Sequence, residues 1–108
     1  MPYDARMLRH VVLFRRSEDT TDEDVAAVMA AIDQLADVVP GIEAMSWGAD
    51  CSPEGLQRGM TDGFTVDFAD AASRDAYLVH PDHQAAGARL VGLSDGGVDG
   101  LLVLDWEM

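Results

Sequence analysis

The sequence has no lysine, only one cysteine, and few aromatic or histidine side chains. Its seven basic residues are all arginines, and 20 acidic residues outweigh them to give a net charge of -13. Such a chain repels phosphate backbones and anionic lipid surfaces, so we expect neither nucleic acid nor membrane partners. The single Cys51 excludes an internal disulfide and a cysteine cluster for zinc, and it suits a reducing compartment.

Several sequence signatures of metal and nucleotide sites are also missing. There is no HExxH motif, no glycine-rich loop followed by lysine and serine or threonine, and no calcium-loop spacing of the acidic residues. We therefore expect no metal and no cofactor. No apolar run reaches membrane-spanning length, and Met1–Arg6 lacks the apolar core of a signal peptide, which together indicate a cytoplasmic protein.

The chain length of 108 residues predicts one domain over residues 1–108. The hydrophobic patterns and turn residues predict, in order, a strand at 7–14, a helix from Thr20 to about Val39, strands at 42–48 and 60–68, a helix ending near Val79, a short helix at 82–90, and a strand at 100–106. A capping box of Thr20 and Glu23 opens the first helix, and Asp70 or Ser73 caps the second. This β-α-β-β-α-β order predicts an α+β, ferredoxin-like fold with an antiparallel sheet and helices on one face.

The outer strands are apolar on both faces, which a single layer of helices cannot cover. Val11, Leu13, Leu102 and Leu104, or their alternates, would lie on the face without helices. Packing of two such sheets against each other would bury these side chains. We therefore expect a homodimer in the form of a dimeric α/β barrel.

The segment Tyr77-Leu78-Val79-His80-Pro81-Asp82-His83 contains two of the three histidines and one of the two tyrosines. Histidine can take and give protons near neutral pH, and a phenol can hold a carbonyl or enolate oxygen. Pro81 breaks the helix, so Tyr77 and His83 can enter one cavity although they are six positions apart. His10 would face the same cavity if its side of the first strand meets the helices. The plainer readings are a core aromatic at Tyr77, a surface histidine at His83, a core histidine at His10 and a backbone-bonding histidine at His80.

The chain resembles the stress-responsive dimeric α/β-barrel (Dabb) family over nearly its whole length. The resemblance lies in the strand with His10, the stretch Ser46–Asp50, the strand opening Met60-Thr61-Asp62, and the phrase Tyr77-x-x-His80-Pro81-x-His83. One activity of that family is the cyclisation of a linear polyketide thioester by intramolecular aldol condensation, without cofactor or metal. The resemblance implies that His83 removes a proton, that Tyr77 binds the oxygen on which charge collects, and that His10 assists.

The substrate pocket implied by the resemblance comprises Val12, Val28, Ile32, Asp62 and Phe64. A family cyclase has a further histidine at the position of Asp62, so we expect this carboxylate to stabilise or orient His83 or His10. The most concrete function is a cofactor-independent acid-base enzyme that cyclises a polyketide, with a small apolar or poly-carbonyl metabolite as its partner. Two alternatives stay open, namely a non-catalytic stress-responsive dimer that binds a small ligand and a cofactor-free monooxygenase acting on aromatic polyketides.

Overall fold

The computed structural model describes residues 6–108, and the N-terminal segment, for which the sequence predicts no signal-peptide core, lies almost wholly outside them. The elements are β1 (Leu8–Phe14), α1 (Asp22–Asp33), a 3-10 turn (Gln34–Asp37), β2 (Ile42–Ala49), β3 (Asp62–Phe68), α2 (Ala71–Val79), α3 (Pro81–Leu93), a second 3-10 turn (Gly97–Gly100) and β4 (Leu101–Glu107). This order confirms the predicted ferredoxin-like arrangement, with its second helix divided in two.

The four strands form one antiparallel sheet in the order β2-β3-β1-β4. Alternate residues of β1 point to opposite faces, and those that face the helices are all buried. They are Leu8, His10, Val12 and Phe14. His10 is thus the one polar side chain in an otherwise apolar row under the helices.

Helix α1 begins one residue later than the sequence predicts. The Thr21 hydroxyl accepts from the Asp24 amide at 3.1 Å, and the Asp24 carboxylate accepts from the Thr21 amide at 3.0 Å. This pair, and not Thr20 with Glu23, forms the capping box. The Thr20 hydroxyl instead donates to the Leu93 carbonyl at 2.9 Å, and this bond connects the segment before α1 to the end of α3. Beyond the cap, apolar side chains that recur at spacings of three and four are buried, namely Val25, Val28, Met29, Ile32 and Leu35.

A break at His80 and Pro81 separates α2 from α3. Asp70 caps α2 by accepting from the Ser73 amide at 2.8 Å, which decides between the two predicted caps. His80 has extended backbone angles, as a residue before proline should, and its Nδ1 accepts from the Asp82 amide at 3.1 Å. His80 is therefore the N-cap of α3, with Pro81 in the first turn. The helix continues three residues beyond the predicted end at Leu90.

The helices cover only one of the two faces of the sheet. The helices bury a core that includes Phe14, Met29, Phe68 and Tyr77 on one side. On the other side, Leu13, Leu102, Leu104 and Trp106 remain exposed, by as much as 58% for Leu104. Large apolar side chains grouped on one open face are typical of a protein–protein contact. Within residues 6–108, no helix has the length and apolar character needed to cross a bilayer.

Candidate functional site

A cavity of about 480 Å³ lies between α3 and the helix-covered face of the sheet, beside the β4 edge. Its wall is largely apolar and includes Val12, Ile32, Phe64, Leu90, Leu101 and Val103. Four polar side chains also line it, namely His10, Tyr77, His83 and Gln84. This volume and mixture are typical of a small-molecule site, where apolar walls bind the guest and a few polar groups orient it.

The break between α2 and α3 brings Tyr77 and His83 together. Tyr77 lies in the last turn of α2, and His83 lies in the first turn of α3. Their ring centroids are 4.2 Å apart with an angle of 47° between the planes. In one continuous helix, six positions would place the two side chains on different faces, so the change of direction at Pro81 creates this pair.

The His83 imidazole is held through one nitrogen. Its Nδ1–H donates to the Leu78 carbonyl at 3.2 Å, across the same break. Burial lowers the pKa of His83 below its ordinary value, and the bond to Leu78 opposes this effect. The ring is thus neutral near pH 7, with Nε2 left as a proton acceptor.

The Tyr77 hydroxyl is buried and lacks a hydrogen-bond partner among residues 6–108. The whole residue is only 1% exposed, and burial raises the pKa of the phenol well above its usual range. The hydroxyl therefore stays protonated and can donate a hydrogen bond. An unpartnered buried hydroxyl costs about 1–3 kcal/mol, so a hydrogen bond from this hydroxyl to an acceptor would be favourable.

His10 reaches the same cavity from β1. Its ring packs edge-on against Tyr77, with centroids 5.9 Å apart, and against Phe68 at 6.4 Å. Its Nδ1 lies 2.7 Å from an oxygen of Asp105 on β4. The structure therefore groups His10, Tyr77 and His83, the three residues for which the sequence predicts catalysis.

Two of the five predicted pocket residues lie elsewhere. Asp62 does not contact either cavity histidine, because its carboxylate accepts two hydrogen bonds from Arg16, at 2.9 and 2.7 Å. In the sheet register Asp62 is opposite Phe14, at the far end of β1 from His10. Val28 is a buried α1 side chain outside the lining of this cavity. Val12, Ile32 and Phe64 do line it.

Asp105, the carboxylate that contacts His10, was not identified from the sequence. The pattern of the last strand predicts apolar residues on both faces, and its carboxylate was assigned no role. The available signal was the strand pairing, because a ferredoxin-like fold pairs β1 with β4 and the register sets His10 opposite Asp105. Among residues 6–108, no three histidine, cysteine or acidic side chains are grouped so that they could hold a metal ion.

Known proteins share this architecture and part of the sequence. The model of the stress responsive A/B barrel domain (Dabb) matches residues 8–108. Stress-response A/B barrel domain-containing protein HS1 of Arabidopsis thaliana is 25% identical over 100 residues, which cover 93% of this chain and 88% of that protein. Olivetolic acid cyclase of Cannabis sativa is 20% identical over 80 residues, which cover 74% of this chain and 79% of the cyclase.

Solved structures give the same assignment of fold. A dimeric ferredoxin-like protein of unknown function from Jannaschia sp. CCS1 has a TM-score of 0.87 and 36% identity, covering 94% of this chain and 99% of that one. Hydroxynitrile lyase of Passiflora edulis has a TM-score of 0.84 at 18% identity, covering 97% and 95%, a likeness of fold alone. Since the family model spans nearly all of the described residues, the chain belongs to the stress-responsive A/B barrel (Dabb) family, as its sequence predicts.

Proposed function

We propose that the protein is a cofactor-independent acid-base enzyme that cyclises a poly-carbonyl metabolite by intramolecular aldol condensation. The observation that carries the proposal is the convergence of a neutral imidazole and an unpartnered phenol at one apolar cavity. A carbon between two carbonyls is acidic enough for an imidazole to deprotonate when the resulting enolate is stabilised. A distant relationship to olivetolic acid cyclase supports the same class of reaction.

The proposed reaction starts at His83. Its Nε2 removes a proton from the carbon between two carbonyls, and the electron pair of the C–H bond moves onto the carbonyl oxygen. The Tyr77 hydroxyl donates a hydrogen bond to that oxygen, in an apolar surrounding where such a bond is stronger than in water. The enolate carbon then attacks a second carbonyl of the same chain, a C–C bond forms, and the new alkoxide takes a proton.

The two residues would contribute comparable shares of the rate. General base catalysis is typically worth ~100- to 10,000-fold, and a preorganised oxyanion donor about 100- to 1,000-fold. The apolar wall adds positional control, because it holds a flexible chain folded so that the attacking and attacked carbons meet. Tyr77 itself is only 1% exposed, so little water can compete for its hydrogen bond.

We also propose that the protein works as a homodimer whose sheets pack against each other. The exposed apolar row of Leu13, Leu102, Leu104 and Trp106 supports this, since it lies on the face that no helix covers. A related structure at 36% identity is described as a dimeric ferredoxin-like protein. The cavity lies on the opposite, helix-covered side of the sheet, so pairing through this face leaves its lining in place.

The test of the enzyme is the fate of a linear poly-β-keto thioester of N-acetylcysteamine. We expect a carbocyclic aromatic product above the background of spontaneous lactone, by chromatography with mass detection. Tyr77→Phe and His83→Gln should each lose most of this product. His80→Asn is the matched control, because asparagine also caps a helix and His80 is outside the cavity lining. Equal turnover by all four proteins would refute the assignment.

The same cavity also favours a non-catalytic binder as second candidate, because its wall is mostly apolar and could hold a guest unchanged. Saturable binding of the thioester with no product, unaffected by His83→Gln, would select this function. Oxygen uptake in the presence of an aromatic polyketide would select the monooxygenase instead. Product formation, binding without product, and oxygen uptake thus distinguish the cyclase, the binder and the monooxygenase.

A further inference from the structure

His10 and Asp105 are neighbours across the β1–β4 pairing. The register places the two residues opposite each other on the helix-covered face. The His10 side chain is only 6% exposed and its Nδ1 lies 2.7 Å from the Asp105 carboxylate. A bond this short between a ring nitrogen and a carboxylate fixes both the rotation of the ring and the nitrogen that carries hydrogen.

The carboxylate is itself held by a second residue. The other oxygen of Asp105 accepts from Arg74 Nη1 at 2.8 Å. Arg74 lies on α2, one turn before Tyr77, so the Arg74–Asp105–His10 chain connects the helix that carries the phenol to two strands of the sheet. Burial would raise the pKa of Asp105, but the bonds from Arg74 and His10 outweigh it and keep the carboxylate ionised.

The two cavity histidines are therefore held in the same way. Each uses Nδ1 to bond an oxygen, which is the Leu78 carbonyl for His83 and the Asp105 carboxylate for His10. Nε2 of each ring takes no part in these bonds, and both residues line the cavity. The oxygens differ in charge, because a carbonyl is neutral whereas a carboxylate carries the charge that balances an imidazolium.

We infer that Asp105, anchored by Arg74, is a positioning residue that fixes the tautomer of His10 and directs Nε2 into the cavity as a second proton-transfer group. This inference rests on the proposed function for its chemical role. In the aldol step, His83 gains the proton of the broken C–H bond, and the His10 ring accepts that proton at Nε2 and passes it to the new alkoxide. The proton lost from carbon thus ends on the new hydroxyl, and both rings return to their starting state.

Nitrogen NMR on protein labelled with ¹⁵N-histidine tests the inference without a substrate. Neutral wild-type His10 should be a single tautomer with hydrogen on Nδ1. Asp105→Asn should give a mixture, because an amide can offer either an oxygen or an NH₂ group to the ring. Asp67→Asn is the matched control, since it removes a bidentate partner of Arg9 on the other face of the sheet. It should leave the His10 signals unchanged.

Arg74→Gln is the second variant, in case Asp105→Asn does not fold. It frees one carboxylate oxygen while the His10 contact remains, and it should broaden the His10 tautomer distribution. A folded Asp105→Asn or Arg74→Gln protein, judged by its amide spectrum, with unaltered His10 signals would overturn the inference. In the cyclisation assay, Asp105→Asn should lower kcat by at least about 10-fold with little change in KM, as expected when a proton-transfer group is no longer held in position.

The two readouts keep the inference separate from the proposed function. A tautomer change without any cyclisation by the wild type would support the positioning role of Asp105 and refute the cyclase. Cyclisation with an unchanged tautomer and unchanged kcat in Asp105→Asn would support the cyclase and refute the positioning role. A change in both the tautomer and kcat supports both.

Discussion

The rings of Tyr77 and His83 lie 4.2 Å apart, yet neither satisfies the polar atoms of the other. The Tyr77 hydroxyl has no partner within residues 6–108, and His83 bonds the Leu78 carbonyl through Nδ1. The two rings pack at an angle of 47° to each other, while the phenol O–H and the imidazole Nε2 stay available. Side chains selected only for packing would normally satisfy a buried hydroxyl, so this geometry favours a guest that supplies the missing partner.

Removal of the Tyr77 hydroxyl should therefore leave the fold intact. We expect the free energy of unfolding of Tyr77→Phe to be unchanged or raised by about 1 kcal/mol, because the mutation deletes a desolvated group without breaking a bond. Urea unfolding measures it. Phe68→Ala, a neighbouring core change, should cost about 3–5 kcal/mol. A loss of more than about 1 kcal/mol in Tyr77→Phe would mean that the hydroxyl has a partner in the folded protein.

His83 should make the protein less stable on the acid side of neutrality. Its pKa in the folded state is lowered, so the unfolded chain binds more protons between that value and the ordinary pKa of about 6.5. The contribution of His83 to the free energy of unfolding is therefore fully present above about pH 6.5, the pKa in the unfolded chain. It is lost as the pH falls from there through the lowered pKa of the folded protein. His83→Gln should therefore lose less stability than the wild type between about pH 7 and about pH 5 in urea titrations.

The pH profile of turnover supplies an independent measure of the same group. If neutral His83 is the base, kcat/KM should fall on the acid side with a midpoint below about 6.5. An acid limb above that value, or parallel stability curves for His83→Gln and wild type, would contradict the lowered pKa.

Sequence periodicity and capping residues were enough to predict the order of elements, but because both faces of β1 are largely apolar they left open which face the helices cover. The break at Pro81 likewise predicted that Tyr77 and His83 could meet. The ion pairs were harder to predict from the sequence, because the strand register determines which side chains lie opposite each carboxylate. Asp62 was assigned to the histidines from a family position, but it lies opposite Phe14, next to Arg16. The carboxylate that contacts a cavity histidine is instead Asp105, because the strand register places it opposite His10.

Asp62 should therefore matter for stability and not for the cavity. Burial opposes its ionisation, but bonds from Arg16 and Thr61 outweigh that effect and lower its pKa. Asp62→Asn should cost about 2 kcal/mol of unfolding free energy, as for the loss of a hydrogen-bonded charged partner. Asp22→Asn is the control, because Asp22 contacts the same arginine but its side chain is 97% exposed, and it should cost about 0.5 kcal/mol or less.

The pH dependence of turnover distinguishes a role of Asp62 in stability from a role as partner of the cavity histidines. Asp62→Asn should leave the pH profile of kcat/KM in place, since no contact joins it to His10 or His83. A displaced acid limb in this variant would restore the interpretation of Asp62 as a partner of the cavity histidines.

Gly87 on α3 should control the size of the cavity. It lines the cavity, and an added Cβ would meet no atom within 4 Å. Gly87→Ala should raise the unfolding free energy by up to about 1 kcal/mol through helix propensity and keep the cavity open. Gly87→Leu should fill it and weaken binding of a neutral fluorescent probe such as N-phenyl-1-naphthylamine by about 10-fold or more, a change of ~1.4 kcal/mol. Gly92→Leu, on the same helix outside the cavity, should bind the probe as the wild type does.

The sheet face without helices should decide the oligomeric state. Leu104 and Trp106 are 58% and 47% exposed on this face, and their burial in a dimer would contribute through the hydrophobic effect. We expect Leu104→Glu to be a folded monomer by sedimentation equilibrium where the wild type is a dimer, because it would bury an unpaired charge at the centre of the contact. Val38→Glu adds the same charge at an exposed apolar residue after α1, away from the sheet, and should remain dimeric. If Leu104→Glu kept the dimer mass, the two copies would have to meet through a different surface.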